Sequence, residues 1–186
     1  MAGFYIELTE NGVINEFWKV VNDVGYRRAR QLFSMAMNKK GRQGYTGVIR
    51  SVARQSSIKQ KDVRAQMTFR RSSAATLTTT IRGASSAFPL KYFGAKQFSY
   101  GVRATVWGRS QQFKSAFIHS GSWSSPGLVG GGHAFVRSTS RSYPIEMMFG
   151  PSVPREMLRD EAVDTFESKA AEILVEVQRL LLVKGL

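Results

Sequence analysis

The sequence predicts an α+β fold, in which a long N-terminal helix and a long C-terminal helix pack with a mainly antiparallel sheet of four to six strands. Two observations lead to this prediction. Apolar residues recur at three- and four-residue spacing near both ends of the chain, whereas segments that alternate apolar and polar residues occupy the middle. The chain has 186 residues, of which 42% are hydrophobic, enough for one core. We therefore expect a single domain over residues 1–186.

The first third of the chain reads as an arm followed by helices. Residues 4–9 are typical of a short strand within an N-terminal arm, residues 1–12. From residue 13 to about residue 39 one apolar face recurs at helical spacing, and core packing explains it; Gly25 is its weak point. Residues 39–45 contain two glycines and lack periodicity, so we predict a loop there. Short helices follow over residues 48–55 and 57–66, the second capped by Ser57.

The middle of the chain predicts short strands. Residues 67–71 are extended, residues 74–82 are rich in β-branched side chains, and residues 100–107 alternate so that Arg103 lies on an exposed face. Residues 113–119 and 134–137 form an antiparallel pair. Residues 120–132, with five glycines and four serines, form the flexible loop between them. The aromatic and basic segment 88–100 favours a hydrophobic loop or a subunit contact, with base stacking as the alternative.

Residues 143–154 contain three prolines and a glycine, which predicts a fixed corner before the last helix. Ser152 suits the cap of that helix and Pro154 its first turn. The apolar spacing then predicts one helix over residues 154–184, about 45 Å long. Four of its apolar residues would be a solubility liability if uncovered, so we predict a subunit contact at Leu180, Leu181, Leu182 and Val183. Packing against the first helix is the alternative.

The charge distribution suggests a polyanionic partner. The chain has 27 Lys and Arg against 13 Asp and Glu, a formal net charge of +14. Between Lys39 and Arg141 there are 18 basic residues and one acidic residue, Asp62, whereas seven of the acids lie in the last helix. Such a basic body fits a polyanion or an acidic protein surface; a solvated basic surface is the plainer interpretation.

The residues needed for catalysis are missing from the sequence. There is no cysteine, and no carboxylate lies between Asp62 and Glu146 to join His119 and His133 in a metal site. No P-loop, GxSxG or HExxH string occurs. We therefore predict a protein that is not an enzyme, with no catalytic residue, metal or cofactor, and two structural histidines satisfied by backbone or hydroxyl groups.

Two segments of this sequence resemble the minor tail protein Z family of phages and prophages. The more specific segment covers the corner, where the matching residues are Arg141, Pro144, Ile145, Phe149, Gly150, Pro151, Ser152, Val153 and Pro154. The second is upstream and comprises Phe113, Ala116, Phe117, Ile118, Gly121, His133, Phe135, Val136 and Arg137. A weaker likeness covers residues 57–64.

The resemblance implies a structural virion protein of a tailed phage, which completes the tail or forms part of the neck. It is expected as a homo-oligomeric ring, with six copies, at the head-proximal end of the tail, after assembly in the host cytoplasm. Its partners would be its own copies, other tail and neck proteins and the backbone of double-stranded DNA, without sequence specificity and without a membrane. The candidates to face DNA are Lys59, Lys61, Arg64, Arg70, Arg71 and Arg103.

Other interpretations of the function stay open at this point. A stand-alone nucleic-acid-binding protein would also be basic and rich in exposed aromatic residues. A tail terminator or a head-tail connector adaptor would share a small α+β fold and ring assembly. Position within a particle is the observation that separates these assembly proteins.

Overall fold

A computed structural model of the chain describes residues 3–7, 11–120, 127–141 and 143–183. It confirms the α+β class, with helices that come both before and after the strands. The helices are α1 (Asn11–Val24), α2 (Tyr26–Ser56), α3 (Gln60–Ala65), α4 (Val153–Met157), α5 (Asp160–Ala171) and α6 (Ile173–Val183). The strands are β1 (Gly3–Glu7), β2 (Met67–Arg70), β3 (Thr78–Gly83), β4 (Ala87–Pro89), β5 (Lys96–Phe98), β6 (Gly101–Val106), β7 (Arg109–Lys114), β8 (Ala116–Phe117), β9 (His119–Ser120), β10 (Gly127–Leu128), β11 (Phe135–Arg137), β12 (Ile145–Met147) and β13 (Phe149–Ser152).

The strand pairs in these ranges are antiparallel, as predicted, but they are divided over several small sheets. Three sheets have three strands, in the orders β1-β3-β2, β5-β6-β7 and β12-β11-β8, and two have two strands, β10-β9 and β13-β4. Among the described residues the strands, each of two to six residues, therefore do not join into one sheet of four to six strands. Between β4 and β5, Leu90–Phe93 form a turn of 3-10 helix.

Helix α2 is the long element around which the other helices pack, and it differs from the predicted one. Gly25 has φ 81°, so α1 ends at Val24 and a new helix begins at Tyr26. The predicted loop at residues 39–45 is wrong because α2 continues through it. Its glycines serve close packing instead: a Cβ on Gly41 would lie 2.7 Å from Thr79 Cγ2 of β3.

Ser57 ends α2 and does not cap the following helix. It adopts a left-handed conformation with φ 65°, and the next N–H, of Ile58, donates to the carbonyl of Ala53. Helix α3 begins only at Gln60, with Lys59 in the N-cap position. The Ser57 hydroxyl instead accepts a 2.7 Å hydrogen bond from the N–H of Gly108, at the tip of the β6–β7 hairpin.

The predicted helix over residues 154–184 is three helices, α4, α5 and α6. Arg159 has extended backbone (φ −87°, ψ 150°) and serves as the N-cap of α5, which separates it from α4. A second break lies at Glu172. These breaks let both α5 and α6 follow the side of α2, while α4 contacts β3 and α2. Packing against the first predicted helix, the alternative to a subunit contact, is found for α6, whose Leu180 and Leu181 pack with residues of α1 and the first half of α2.

Two hydrophobic clusters meet along α2. The larger lies between the second half of α2, the strands and the start of α5, and it includes Val48, Ile49, Phe88, Met157 and Phe166. The smaller joins α1, the first half of α2 and α6, and it includes Val20, Phe33, Met37, Ile173 and Val177. Among the described residues, no helix is both long enough and apolar enough to cross a lipid bilayer.

Candidate nucleic-acid interface

The six basic residues predicted to face DNA are all exposed, and none of them forms a salt bridge within the described part of the chain. Five lie close together in sequence along α3 and β2, and they form the α3–β2 basic segment: Lys59, Lys61, Arg64, Arg70 and Arg71. The sixth, Arg103, lies on β6 in a different sheet. The structure therefore does not bring the predicted set together, because Arg103 lies in another sheet and Arg71 lines a separate groove.

The outer face of the β1-β3-β2 sheet adds one cation that the sequence analysis did not select. In the β2–β3 register, Arg70 lies opposite Thr80 and Arg82 lies opposite Thr68. Residues two apart on a strand point to the same face, so Arg70 and Arg82 are diagonal neighbours on the exposed side. The opposite side carries Ile81, which is fully buried in the core.

Arg71 follows the end of β2 at Arg70, and hydrogen bonds of the next residue, Ser72, fix its position beside α2. The side-chain amide of Asn38 donates to the carbonyl of Ser72 at 2.9 Å, and the N–H of Ser72 donates to Asn38 Oδ1 at 2.8 Å. This pair of hydrogen bonds anchors the segment on α2. Arg71 thereby lines a groove of about 460 Å³ between α2 and α6, together with Arg42 and Arg179.

A second basic surface is the exposed face of the β5-β6-β7 sheet, here called the basic sheet face: Lys96, Arg103 and Lys114. Lys96 on β5 and Gln112 on β7 lie directly opposite Arg103, while Lys114 lies opposite Gly101. All three cations are exposed, and no acidic residue occurs between Asp62 and Glu146 to balance them. Because like charges directly opposite each other destabilise a sheet, Lys96 and Arg103 weaken the fold unless an anion joins them.

Two aromatic rings lie on the basic sheet face. Phe98 is opposite Gly101 in the register, and its ring stacks on that of Tyr100 with centroids 5.4 Å apart and planes within 4°. The guanidinium carbon of Arg103 lies 4.3 Å from the Phe98 ring centroid. The aromatic segment of the sequence thus has two roles, because Phe88 and Phe93 are buried in the core whereas Phe98 and Tyr100 reach the surface.

The inner side of this sheet holds it rigidly in the domain. Val102, Ala104 and Val106 of β6 are buried in the larger cluster. On β5, Gln97 Oε1 accepts hydrogen bonds from the N–H groups of Ile118 at 2.6 Å and His119 at 2.9 Å. The basic sheet face is therefore presented on a fixed support and not on a loop.

Lys39 and Lys40 of α2 differ from these surfaces because carboxylates of the C-terminal segment neutralise them. Lys39 Nζ lies 2.6 Å from Glu176 Oε1, and Lys40 Nζ lies 2.7 Å from Glu172 Oε2. Hydrogen bonds from Lys169 and then Lys40 lower the pKa of Glu172 from 4.5 to about 2. The hydrogen bond from Lys39 likewise lowers the pKa of Glu176. These pairs join helices and leave little charge for a ligand.

The corner motif forms strands where the sequence predicts a turn. The Tyr143–Pro144 peptide bond is cis, and Ile145 then begins β12 opposite Arg137 of β11. In the next strand, two residues, Gly150 and Pro151, oppose one residue of β4, so β13 contains a bulge. The bulge explains how glycine and proline fit within an edge strand.

The end of the motif begins α4 without the predicted side-chain cap. Ser152 occupies the N-cap position with extended backbone, but its hydroxyl makes no capping hydrogen bond. Pro154 lies in the first turn, as predicted. Phe149, 54% exposed, lines a groove of about 430 Å³ together with Pro151 and Trp107.

The four apolar residues predicted to form a subunit contact fall into two pairs. Leu180 and Leu181 are half-buried and pack against the smaller cluster, as part of the contact between α6 and α2. Leu182 and Val183 are 82% and 71% exposed. Of the four predicted residues, Leu182 and Val183 are therefore the two that a neighbouring copy could contact.

The two histidines are half-buried at the ends of the glycine-rich loop. The Nδ1 atoms of His119 and His133 have no hydrogen-bond partner in the described ranges, so the predicted backbone or hydroxyl partners are not found for them. Over the same residues, no group of three or more side chains is arranged to hold a metal ion. Residues 121–126 of the loop lie outside the described residues.

Sequence reasoning selected Arg103 but not its neighbours Lys96 and Lys114. The alternation over residues 100–107 already placed Arg103 on an exposed strand face. What remained hidden was the register, which pairs Lys96 with Arg103 and Lys114 with Gly101 across three strands. The signal available in the sequence was the alternation of side chains in the segments just before and just after β6, which contain Lys96 and Lys114.

Comparison with known proteins shows which family this chain is similar to. A family model described as prophage minor tail protein Z matches residues 21–178. The match includes α2, all the strands after it and most of α6, so it covers both basic surfaces and the corner motif. No curated protein and no solved structure matches the chain.

Proposed function

Because the chain belongs to the prophage minor tail protein Z family, it is a phage minor tail protein and a component of the virion, and we propose that it completes the tail at its head-proximal end. There it forms a closed ring, with six copies, whose neighbours are other tail and neck proteins. The α3–β2 basic segment faces the DNA that passes through the ring. The protein contributes structure and charge, and no catalytic step.

One observation carries the DNA-facing part of this proposal. Lys59, Lys61, Arg64, Arg70 and Arg71 are exposed on neighbouring elements and have no carboxylate partner in the described part of the chain, whereas Lys39 and Lys40 of α2 have one. Cations left unpaired repel one another, and a polyanion relieves that repulsion. Lysines and arginines on a surface without a reading helix favour contact with phosphates over contact with bases.

Ring assembly strengthens the effect of these charges. In cyclic symmetry each copy presents the same segment to the central axis, so a modest charge per subunit becomes a continuous positive lining. The exposed Leu182 and Val183 at the end of α6 are candidates for the contact between adjacent copies.

Electron microscopy of particles tests the position. With the protein labelled, we expect density at the junction of head and tail, and with the gene deleted we expect heads and tails that fail to join. Density at the distal tip or along the tube overturns the proposal. A ring at the junction that closes the end of the tail tube without bordering the DNA path would identify a tail terminator, and one bound only to the head a connector adaptor.

Charge-reversed variants test the lining. Lys61→Glu with Arg64→Glu is expected to leave the ring intact but to lower the yield of infective particles. Arg27→Glu with Arg28→Glu, on the exposed start of α2, is the matched control, because it reverses the same number of charges away from α3. Equal yields from the two pairs would contradict the assignment of α3 to DNA.

A further inference from the structure

We propose that the basic sheet face binds single-stranded DNA, with bases stacked on the Phe98 and Tyr100 rings and phosphates held by Lys96, Arg103 and Lys114. The proposal rests on the proposed function in one respect, that the partner of this protein is DNA. It goes further because it names a second surface, apart from the α3–β2 basic segment, and a different form of the ligand.

The electrostatic argument begins with the register. Lys96 and Arg103 are directly opposite each other, and Lys114 is on the same face one strand further, opposite Gly101. Adjacent strands lie about 4.8 Å apart, so the three cations occupy a strip about 10 Å wide. No salt bridge involves any of them in the described ranges, and the nearest acids in sequence are Asp62 and Glu146. A chain of phosphates supplies the missing negative charge.

The aromatic pair determines which form of DNA fits. The Phe98 and Tyr100 rings are parallel within 4° and 5.4 Å apart, and Tyr100 is 40% exposed, so an unpaired base can continue the stack. In a duplex the faces of the bases are already stacked on their neighbours and are not accessible to side-chain rings. Stacking on side chains is characteristic of proteins that bind single strands.

Arg103 links the two parts of the site. Its guanidinium lies against the Phe98 ring at 4.3 Å, which holds the side chain across the sheet face. A planar guanidinium in that position retains N–H donors for a phosphate. Gln112, directly opposite Arg103 on β7, and Thr105 are exposed on the same face and can donate further hydrogen bonds.

The rigidity of the sheet favours binding by a preformed surface. The inner residues of β6 are buried, and Gln97 joins β5 to the next strands through two hydrogen bonds. The β6–β7 hairpin is closed by a two-residue turn at Trp107 and Gly108, both with positive φ. A ligand therefore meets side chains already in place, and little ordering of the protein opposes binding.

Fluorescence anisotropy of the full chain with an oligothymidylate of about 12 nucleotides, and with a duplex of the same length, tests the proposal. We expect Phe98→Leu with Tyr100→Leu to weaken binding of the single strand at least about tenfold, since each stacked base contributes about 1–3 kcal/mol. Binding of the duplex should change less than about twofold. Tyr100→Leu alone, at the more exposed ring, is expected to weaken binding of the single strand about fivefold without disturbing the fold.

A salt titration separates the effect of phosphate neutralisation from that of stacking. Lys96→Gln with Lys114→Gln should make the slope of log affinity against log salt for the single strand shallower by about 1.4, or about 0.7 for each phosphate that is no longer neutralised. Arg27→Gln with Arg28→Gln, at the exposed start of α2, is the matched control and should leave that slope unchanged. Unaltered single-strand affinity and slope in the sheet-face variants overturn this inference, whereas the proposed function would stand. Loss of head-proximal density with single-strand binding retained overturns only the proposed function.

Discussion

The indole Nε1 of Trp107 donates a 3.0 Å hydrogen bond to Oε1 of Glu156, a carboxylate that is 1% exposed. The bond joins the tip of the β6–β7 hairpin to α4. Trp107 has φ 53°, a conformation that bulky residues rarely adopt, and this turn directs the indole onto α4. Arg159 completes the contact, with its Nη1 3.4 Å from Glu156 Oε2 and its guanidinium carbon 5.6 Å from the indole ring. The basic sheet face is thereby anchored to the C-terminal helices.

Trp107→Phe is expected to lower the free energy of unfolding by about 2 kcal/mol, because it removes a donor from a buried carboxylate while keeping an aromatic ring. In a Glu156→Leu background the same change should cost much less, since no carboxylate is then left unpaired. Urea denaturation of the four proteins measures the coupling. Trp18→Phe, at an exposed tryptophan, is the control and should cost less than about 0.5 kcal/mol. Additive effects of the Trp107 and Glu156 changes would contradict the role of this bond.

Gly150→Val is expected to destabilise the protein by about 2–3 kcal/mol and to impair particle assembly. A Cβ at Gly150 would lie 2.4 Å from Cε2 of Phe93, whose ring is buried in the core and has little room to move. Thermal unfolding and the yield of particles are the two measurements. If both remain at wild-type values, the importance assigned to the bulge in β13 is wrong.

Two glycines of α2 should respond to alanine in opposite directions. At Gly44 a Cβ would meet Lys169 Cβ at 3.6 Å, an ordinary contact, so Gly44→Ala should stabilise the helix by about 1 kcal/mol. At Gly47 a Cβ would lie 2.5 Å from Thr165 Cγ2. Thr165 is held by a 2.7 Å hydrogen bond to the Glu161 carbonyl, so Gly47→Ala should cost about 1–3 kcal/mol.

The midpoint of urea denaturation for the two alanine variants provides the comparison. Each replaces a glycine of the same helix by the same residue, so helix propensity is matched and only the space on the facing helix differs. Equal shifts of the midpoint in the same direction would show that α5 does not approach α2 as closely as the Thr165 contact requires.

Acid should weaken the contact between α2 and the C-terminal helices. The pKa of Glu172 is about 2 in the folded protein against an ordinary value of 4.5, and that of Glu176 is also lowered. A lowered pKa contributes stability that is fully present above pH 4.5 and is lost as the pH falls from 4.5 toward about 2. Urea denaturation across this range should show that decline.

Lys40→Met identifies the source of the pH dependence. It removes a donor to Glu172 and a charge 3.8 Å from Glu176, so the stability of the variant should fall less between pH 4.5 and about 2. Lys19→Met, which breaks an exposed pair with Glu16, is the control and should leave the pH profile as it is. If the stability of the wild type and that of Lys40→Met fall equally between pH 4.5 and about 2, the contacts of Lys40 are not the source of the pH dependence.

Leu182→Glu is expected to reduce association between copies while leaving the folded monomer unchanged. The side chain is 82% exposed, so the change should alter the free energy of unfolding by less than about 0.5 kcal/mol, whereas a buried charge would oppose a subunit contact. Sedimentation velocity measures the oligomeric state. Gln178→Glu, an exposed position on the same helix, is the control for added charge. If both variants oligomerise equally, the end of α6 is not part of the contact between copies.

Several features could be predicted from the sequence because they depend on local patterns. Alternation placed Arg103 on an exposed strand face, and the helical spacing of apolar residues found both helical ends of the chain. The string from Arg141 to Pro154 pointed to the family that the comparison later matched. The first two patterns repeat every two or every 3.6 residues, and the string is continuous in sequence. All of them can be recognised without knowing which residues they contact in the fold.

Other features depended on what lies opposite a residue. Gly41 and Gly44 favoured a loop by their intrinsic preference, but in the fold both lie within α2, and a Cβ on Gly41 would lie 2.7 Å from Thr79 Cγ2 of β3. Ser57 resembled an N-cap, but it ends α2 in a left-handed conformation, and its hydroxyl accepts a hydrogen bond from Gly108 of a distant hairpin. Neither neighbour is visible from the sequence around these residues.

The sequence by itself determined an α+β chain with a basic middle and acidic C-terminal helices, since composition and short-range periodicity carry that information. Only the tertiary structure decided which charges stay free. It pairs Lys39 and Lys40 with glutamates of the C-terminal segment, more than 130 residues away, and sets Lys96 beside Arg103 without an acid. The physical reason is that an ion pair depends on distance in space, and strand register and helix packing fix that distance.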